Sequence, residues 1–296
     1  MRTAAPDRGL TPAPRRRRTG VIAFAVPDLE EPYFAELTAL LVRRAESRGL
    51  SVVIQQTEGV HEREVDVANG VGAPATDGLI HIPRSLTVAD LTRRRAPGPL
   101  VLLGEHIEAS PFAHVTIDNR AAAMAATEHL LGRGCRRLAF VGPHTQEASD
   151  ATNRRYAGFR DALAAHGVPV EESLIGPVAA FAPAEGLRAT RAILDSGVPF
   201  DGLVATNDSV ALGVLSALHA AGVSVPGDVA VIGMDDVIAA RYSVPALTSV
   251  APDKAQLVER ALDVLERQLD AHPAADQPVE QVTIGFHVVE RESTRR

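Results

Sequence analysis

A chain of 296 residues with 46% hydrophobic side chains is long and apolar enough to bury a full core, in one large domain or two of ordinary size. Its net charge of −7 is uneven: residues 1–20 hold six Arg and one Asp, so the remainder carries −12 and is a poor electrostatic partner for nucleic acid. The single cysteine, Cys135, excludes an intrachain disulfide and any Cys-pair zinc site, and no apolar run reaches the roughly 18 residues that cross a bilayer.

The first nineteen residues, with Arg15–Arg18 in a row, read as a disordered basic arm or the remnant of a phosphate-contacting linker, without the apolar core of a secretory signal. A cytoplasmic protein without membrane contact is expected. From residue 20 onward, apolar runs alternate with helical patterns. GVIAFAV (20–26) is a strand apolar on both faces. Phe34–Arg48 places Leu37, Leu40, Leu41 and Ala45 at helical spacing and stops at Gly49. SVVIQQT (51–57) is the next strand. Over 59–76, Gly70, Gly72 and Pro74 predict a truncated helix and a loose loop. Strands follow at 77–83, 99–105 and 114–118, with a weak helix at 87–95 and a long one over Asn119–Arg133 ended by Gly134. A second series has strands at 138–142, 174–179, 202–206 and 229–234, and helices at 150–166, 184–196 and 208–221. A helix at 253–270 and a terminal strand pair, 279–284 and 286–290, close the chain. This alternation implies α/β architecture with parallel sheets, and there are enough strands for two lobes.

Enzyme signatures fail. There is no G-x-S-x-G, P-loop or H-E-x-x-H pattern. Gly70-Val-Gly72-Ala-Pro-Ala75 mimics a dinucleotide fingerprint but follows no strand, and Pro74 obstructs a helix start. The ten His are scattered; His81 and His106 end predicted strands and could approach a cleft. No catalytic residue, cofactor or metal is expected. Instead, polar and aromatic residues stand where strands end, which is where open parallel sheets bind ligands. Tyr33 and Phe34 follow the first strand, Asp118 the strand at 114, Asn207 and Asp208 the strand at 202, and Asp235 and Asp236 the strand at 229. Such a set suits a sugar, a nucleobase or a similar polyol. These residue types also favour helix N-caps, a role that fits Asp208 and Asp236 best and leaves Asp118, Asn207 and Asp235 open to either use.

Several long segments, in order, resemble the effector domain of LacI/GalR transcription regulators. They are TGVIAFAVPDLEEPYFAEL (19–37), VTIDNRAAAMAATEHLLGRGCRRLAFVG (115–142), NRRYAGFRDAL (153–163), DGLVATNDSVALGVLSALHAAGVSVPGDVAVIGMDD (201–236), PALTSV (245–250) and VVERESTRR (288–296). The same fold occurs in periplasmic sugar-binding proteins. The resemblance implies two Rossmann-like lobes of the type I periplasmic-binding-protein kind joined by three crossovers, one lobe at 20–135 plus 247–272, the other at 136–246 plus 273–291. Ligand would bind between them at Tyr33, Phe34, Asp118, Arg155, Phe181, Asn207 and Asp235. Arg155, three residues before Gly158, would offer its donor fork to ligand oxygens or a carboxylate; Asp235 would accept hydrogen bonds; Phe34 and Phe181 would stack on the ligand.

The expected function is thus a ligand-responsive transcription regulator, sensing a sugar or related small polar molecule and acting as a homodimer. The family's helix-turn-helix head has no counterpart before residue 20, and Pro12 and Pro14 suit a hinge helix poorly. DNA is therefore expected as a partner only through a head upstream. A stand-alone sugar-binding module without a DNA role is the alternative. GFH (285–287) departs from the family pattern without a functional reading.

Overall fold

A computed structural model describes residues 18–73, 75–96, 98–107, 110–142, 151–270 and 279–295. The basic arm expected over 1–19 lies outside them except for Arg18 and Thr19. The first apolar run forms β1 (Val21–Val26), and its alternation shows why it needs no polar face. Ile22, Phe24 and Val26 join a core with Leu37, Leu41, Leu262 and Leu265, while Ala23 and Ala25 join another with Leu79, Leu91, Leu100 and Leu102.

After β1 come α1 (Pro32–Ser47), β2 (Ser51–Gln56), α2 (His61–Ala68), β3 (Leu79–His81), α3 (Val88–Thr92), β4 (Leu100–Leu103) and β5 (Ala113–Ile117). Then follow α4 (Asn119–Gly132), β6 (Leu138–Val141), α5 (Ala151–Ala165), β7 (Ile175–Gly176), α6 (Pro183–Asp195), β8 (Gly202–Ala205), α7 (Asp208–Ala220), β9 (Ala230–Met234), α8 (Ile238–Arg241) and β10 (Thr248–Pro252). The chain ends with α9 (Lys254–Asp270), β11 (Gln281–Ile284) and β12 (Phe286–Val289). Two six-stranded sheets result, ordered β11-β5-β4-β3-β1-β2 and β12-β10-β9-β8-β6-β7. All pairings are parallel except that of β10 with β12. The two-lobed α/β architecture is the one the sequence implied.

The sheets divide the chain elsewhere than expected. Crossovers fall at Asp118, Asp253 and Gly285, between β5 and α4, β10 and α9, and β11 and β12. The expected boundaries at 135/136, 246/247 and 272/273 are corrected accordingly. α4 belongs to the second lobe because Ala122, Ala123, Ala126, Leu130 and Leu131 pack with Phe140, Ile232 and Val250 of its sheet. β10, unassigned as a strand in the sequence, joins β9 in that sheet. The supposed terminal strand pair separates: β11 aligns with β5, β12 with β10. The stretch 59–76 gives the short α2 and then a loop through Gly70 and Gly72 at positive φ. The strand near 174–179 is reduced to the two residues of β7.

Glycine sets two helix pairings. A Cβ on Gly158 of α5 would stand 2.0 Å from the carbonyl oxygen of Arg120, so α5 lies against α4 as only glycine allows. Gly213 of α7 meets the carbonyl oxygen of Pro183 in α6 in the same way, at 1.9 Å.

Candidate functional site

The carboxyl ends of both sheets face one cavity of about 500 Å³, within the range of small-molecule sites. In the second lobe, the close approach of α5 to α4 places Arg155 one turn before Gly158, beside Asn119. Its Nε donates to Asn119 Oδ1 at 2.8 Å, Nη1 to the Thr206 carbonyl at 2.6 Å, and Nη2 lies 3.5 Å from Asp235 Oδ1. Asp235 is 4% exposed and sits at φ 105°, a backbone conformation that L residues rarely adopt. Its surroundings hold it there. The Asp235 N–H donates to the Val250 carbonyl, the Asp236 N–H to Ser249 Oγ, and the Val237 N–H to Asp208 Oδ2. Asp236 is clasped by Arg241 and Arg291. Burial pushes the Asp235 carboxyl up, against the opposing pull of Arg155 and Lys254. Asn207 caps α7 by accepting from the Val210 N–H at 3.0 Å and still lines the cavity.

The first lobe supplies the other wall. Pro32 starts α1, so Glu31 ahead of it and Tyr33 and Phe34 within it face the cavity. Arg84 comes from the loop after β3, and Glu105 and His106 from the loop after β4. Glu31 is 6% exposed. It accepts from Ser209 Oγ across the cleft at 3.1 Å, and burial, reinforced by Asp235, pushes its carboxyl up to about 7. Burial likewise raises the Tyr33 phenol. Asn119 Nδ2 donates to Glu105 Oε2 at 2.7 Å, a second contact between lobes. A third runs through Glu36 of α1, which accepts from the Ile238 N–H and from Lys254, both at 2.7 Å. Phe181 faces the cavity from the loop after β7. Among the described residues no group of His, Cys, Asp and Glu could hold a metal ion.

Residues 127–294 match the periplasmic binding protein-like domain family. The transcriptional regulator AscG of Escherichia coli K12 is 31% identical over 240 residues, which cover 80% of this chain and 70% of AscG. A solved LacI-family regulator from Sanguibacter keddieii is 40% identical, with a TM-score of 0.85 over 94% of this chain and 99% of the other. The regulator CelR, solved in complex with cellobiose, is 28% identical, with a TM-score of 0.78 over 94% and 86% of the two chains. The chain belongs to the LacI/GalR family. It spans the effector-binding region of these transcription regulators.

Of the seven residues that the LacI/GalR resemblance singled out, Tyr33, Phe34, Arg155, Phe181, Asn207 and Asp235 line the cavity together. Asp118 does not: it is exposed and caps α4 by accepting from the Ala121 N–H at 2.8 Å, while its neighbour Asn119 turns inward. Asp208 and Asp236, read as caps, instead brace the turn that holds Asp235. Asp208 accepts from Ser249 Oγ at 2.7 Å, and its burial raises its carboxyl well above the usual range. Sequence reasoning missed Glu31, Arg84, Glu105 and Asn119. Glu31 and Glu105 sat at strand exits, the signal that had found the others. Arg84 and Asn119 directly follow the predicted strands at 77–83 and 114–118 and carried the same signal, unused. His106 reaches the cavity; His81 is fully buried in β3. Among the described residues no helix is long and apolar enough to cross a membrane.

Proposed function

We propose that this chain is the sensing part of a LacI/GalR-type regulator whose effector is a small neutral or weakly charged polyol, a sugar or related metabolite, held between the lobes. The observation that carries this reading is the grouping of Asp235, Arg155, Asn119 and Asn207 at the carboxyl ends of the strands, opposite Phe34 and Phe181. Polar groups of this kind fix hydroxyls, and ring faces cover the apolar side of a sugar. The complex of CelR with cellobiose supports the class of ligand.

Arg155 takes a narrower role than a carboxylate clamp. Three of its five N–H donors already serve Asn119, Thr206 and Asp235, so it positions Asp235 and Asn119 rather than receiving an anion alone. Ligand held by groups of both lobes favours one lobe arrangement, and that preference is the free energy a regulator transmits. We infer that the transmitting unit is a homodimer in the cytoplasm and that DNA is contacted through a separate head. Exposed Ile238, Tyr242 and Val244, at 57%, 80% and 93%, support a second copy against this part of the second lobe. Isothermal titration with neutral mono- and disaccharides tests the ligand class: saturable binding lost in Asp235→Asn is expected, and binding unchanged by that substitution would contradict the site.

A further inference from the structure

The break that ends α2 opens a second cavity, on the face of the first lobe's sheet that α2 and α3 cover. The helix runs for only eight residues, and the chain leaves it through Gly70 and Gly72 at φ 83° and 81°. Beside this break lies a cavity of about 160 Å³. Its floor is Ala23 of β1, Gln55 of β2 and Leu79 of β3, and the end of α2 supplies Val67 and Ala68. Apart from Gln55 these side chains are apolar and buried. A cavity of about 150 Å³ holds benzene, so this one takes a molecule of about six non-hydrogen atoms. None of its residues lines the cavity between the lobes.

Two polar groups at this cavity are unmet. Arg94, from the loop after α3, is held in place: Nε donates to the Ala68 carbonyl at 2.8 Å, Nη1 donates to the Gly98 carbonyl at 2.9 Å, and the Phe112 ring centre lies 5.4 Å from Cζ. These contacts cap α2 and fix the guanidinium. Among the described residues Nη2 has no partner and no carboxylate pairs with Arg94. Burial alone acts on this charge and lowers its pKa, as for a cation taken out of water without compensation. Gln55 is the other. Its Nε2 donates to the Val71 carbonyl at 2.9 Å, which orients the amide and leaves Oε1 buried without a donor. Asn69 and Ala96 lead from the cavity into a shallow recess flanked by Arg93 and Arg95. Among the described residues neither makes an ion pair, and Arg93 acts on Asp90 only at a distance. Three consecutive arginines at one opening draw anions, even in a chain of net charge −7.

We propose that this cavity is a second ligand site, selective for a short 2-hydroxycarboxylate whose carboxylate takes Arg94, whose hydroxyl donates to Gln55 Oε1 and whose carbon end packs on Ala23, Val67 and Leu79. The apolar walls favour such a molecule over inorganic phosphate, which has no carbon to bury. The site does not depend on the sugar-sensing reading above and gives the chain a second chemical input.

The test is isothermal titration of the full chain with L-lactate, D-lactate, propionate, lactamide and inorganic phosphate. One enantiomer of lactate binds at least about tenfold more tightly than lactamide, which lacks the charge, and about threefold more tightly than propionate, which lacks the hydroxyl. Arg94→Gln lowers lactate binding to the level of lactamide, and Gln55→Leu removes the preference over propionate. Both residues also hold backbone carbonyls, so Ala96→Leu, which adds bulk where the cavity opens and leaves them in place, is the variant that decides if they fail to fold; it abolishes lactate binding. Asp235→Asn leaves lactate binding unchanged. Equal binding of lactate and lactamide, tighter binding of phosphate, or no saturable binding at millimolar concentration overturns the assignment. Lactate binding that survives Ala96→Leu or disappears in Asp235→Asn overturns it too, since the ligand then sits between the lobes. A sugar response without lactate binding overturns this site and leaves the sugar sensor standing; lactate binding without any sugar response does the reverse.

Discussion

Asp235 combines burial, a backbone conformation costing on the order of 1–3 kcal/mol and a position at a strand exit. Strain that surrounding groups hold in place this firmly makes Asp235 the residue of the proposed site to test first. Asp235→Asn keeps the shape and removes a buried charge, so it leaves the melting temperature unchanged or raised while weakening effector binding at least about tenfold. Arg155→Ala acts differently. It strands Asp235 in the interior and leaves the Thr206 carbonyl and Asn119 unmatched, at a cost of about 3 kcal/mol; chemical denaturation reads the loss. His81 gives a prediction about pH. Its two ring nitrogens are buried without a partner, and burial holds its pKa down to about 4 against an ordinary 6.5. The unfolded chain takes up a proton at His81 below pH 6.5, the folded chain only near pH 4. Stability from this residue is complete above pH 6.5 and is lost as pH falls through that window. His81→Leu therefore shows a shallower decline in unfolding free energy between pH 6.5 and 4 than wild type, by up to about 3 kcal/mol. Parallel declines would show that His81 is already charged in the fold.

At the scale of elements, Gly158 decides how α5 meets α4. A methyl group there must push Arg120 and the start of α4 away, so Gly158→Ala destabilises by about 2 kcal/mol. It also weakens effector binding, because Arg155 and Asn119 sit on the two helices being separated. The sequence revealed these elements unevenly. Apolar runs such as Val21–Val26 and amphipathic stretches such as Pro32–Ser47 follow from local periodicity and stood out. The lobe boundaries did not, because α4 could cover either sheet and only its long-range packing on Phe140 and Val250 assigns it. The strand β12 was legible but its partner was not: the crossover at Gly285, not local pattern, pairs it with β10, which had gone unassigned. Within the site, strand-exit logic and family motifs located Asp235, Asn207 and the aromatics. They misplaced Asp118, since an Asp that caps a helix looks the same in sequence as one that meets a ligand. The inward turn of Asn119 depends on Glu105 and Arg155, distant in the chain.

For the whole molecule, polar contacts join the two lobes around the cavity: Glu31 with Ser209, Asn119 with Glu105, Glu36 with Ile238, and Lys254 with the Asp236 carbonyl. Such contacts are weak enough to be rearranged, which suits a cleft whose closure reports on its contents. The exposed apolar side chains of the second lobe belong to the same scale. Tyr242→Asp combined with Val244→Asp weakens self-association at least about tenfold by sedimentation velocity without lowering the melting temperature; unchanged association would place the dimer contact elsewhere. These expectations all turn on whether a small polyol binds between the lobes at Asp235. Thermal unfolding of wild type and Asp235→Asn, each with a series of sugars, tests it most directly, since a ligand of the folded state stabilises by RT ln(1 + [L]/Kd). At least one sugar is expected to raise the wild-type transition in a concentration-dependent way, and Asp235→Asn to lose the response. No shift with any sugar at millimolar concentration, or equal shifts in both proteins, would contradict it.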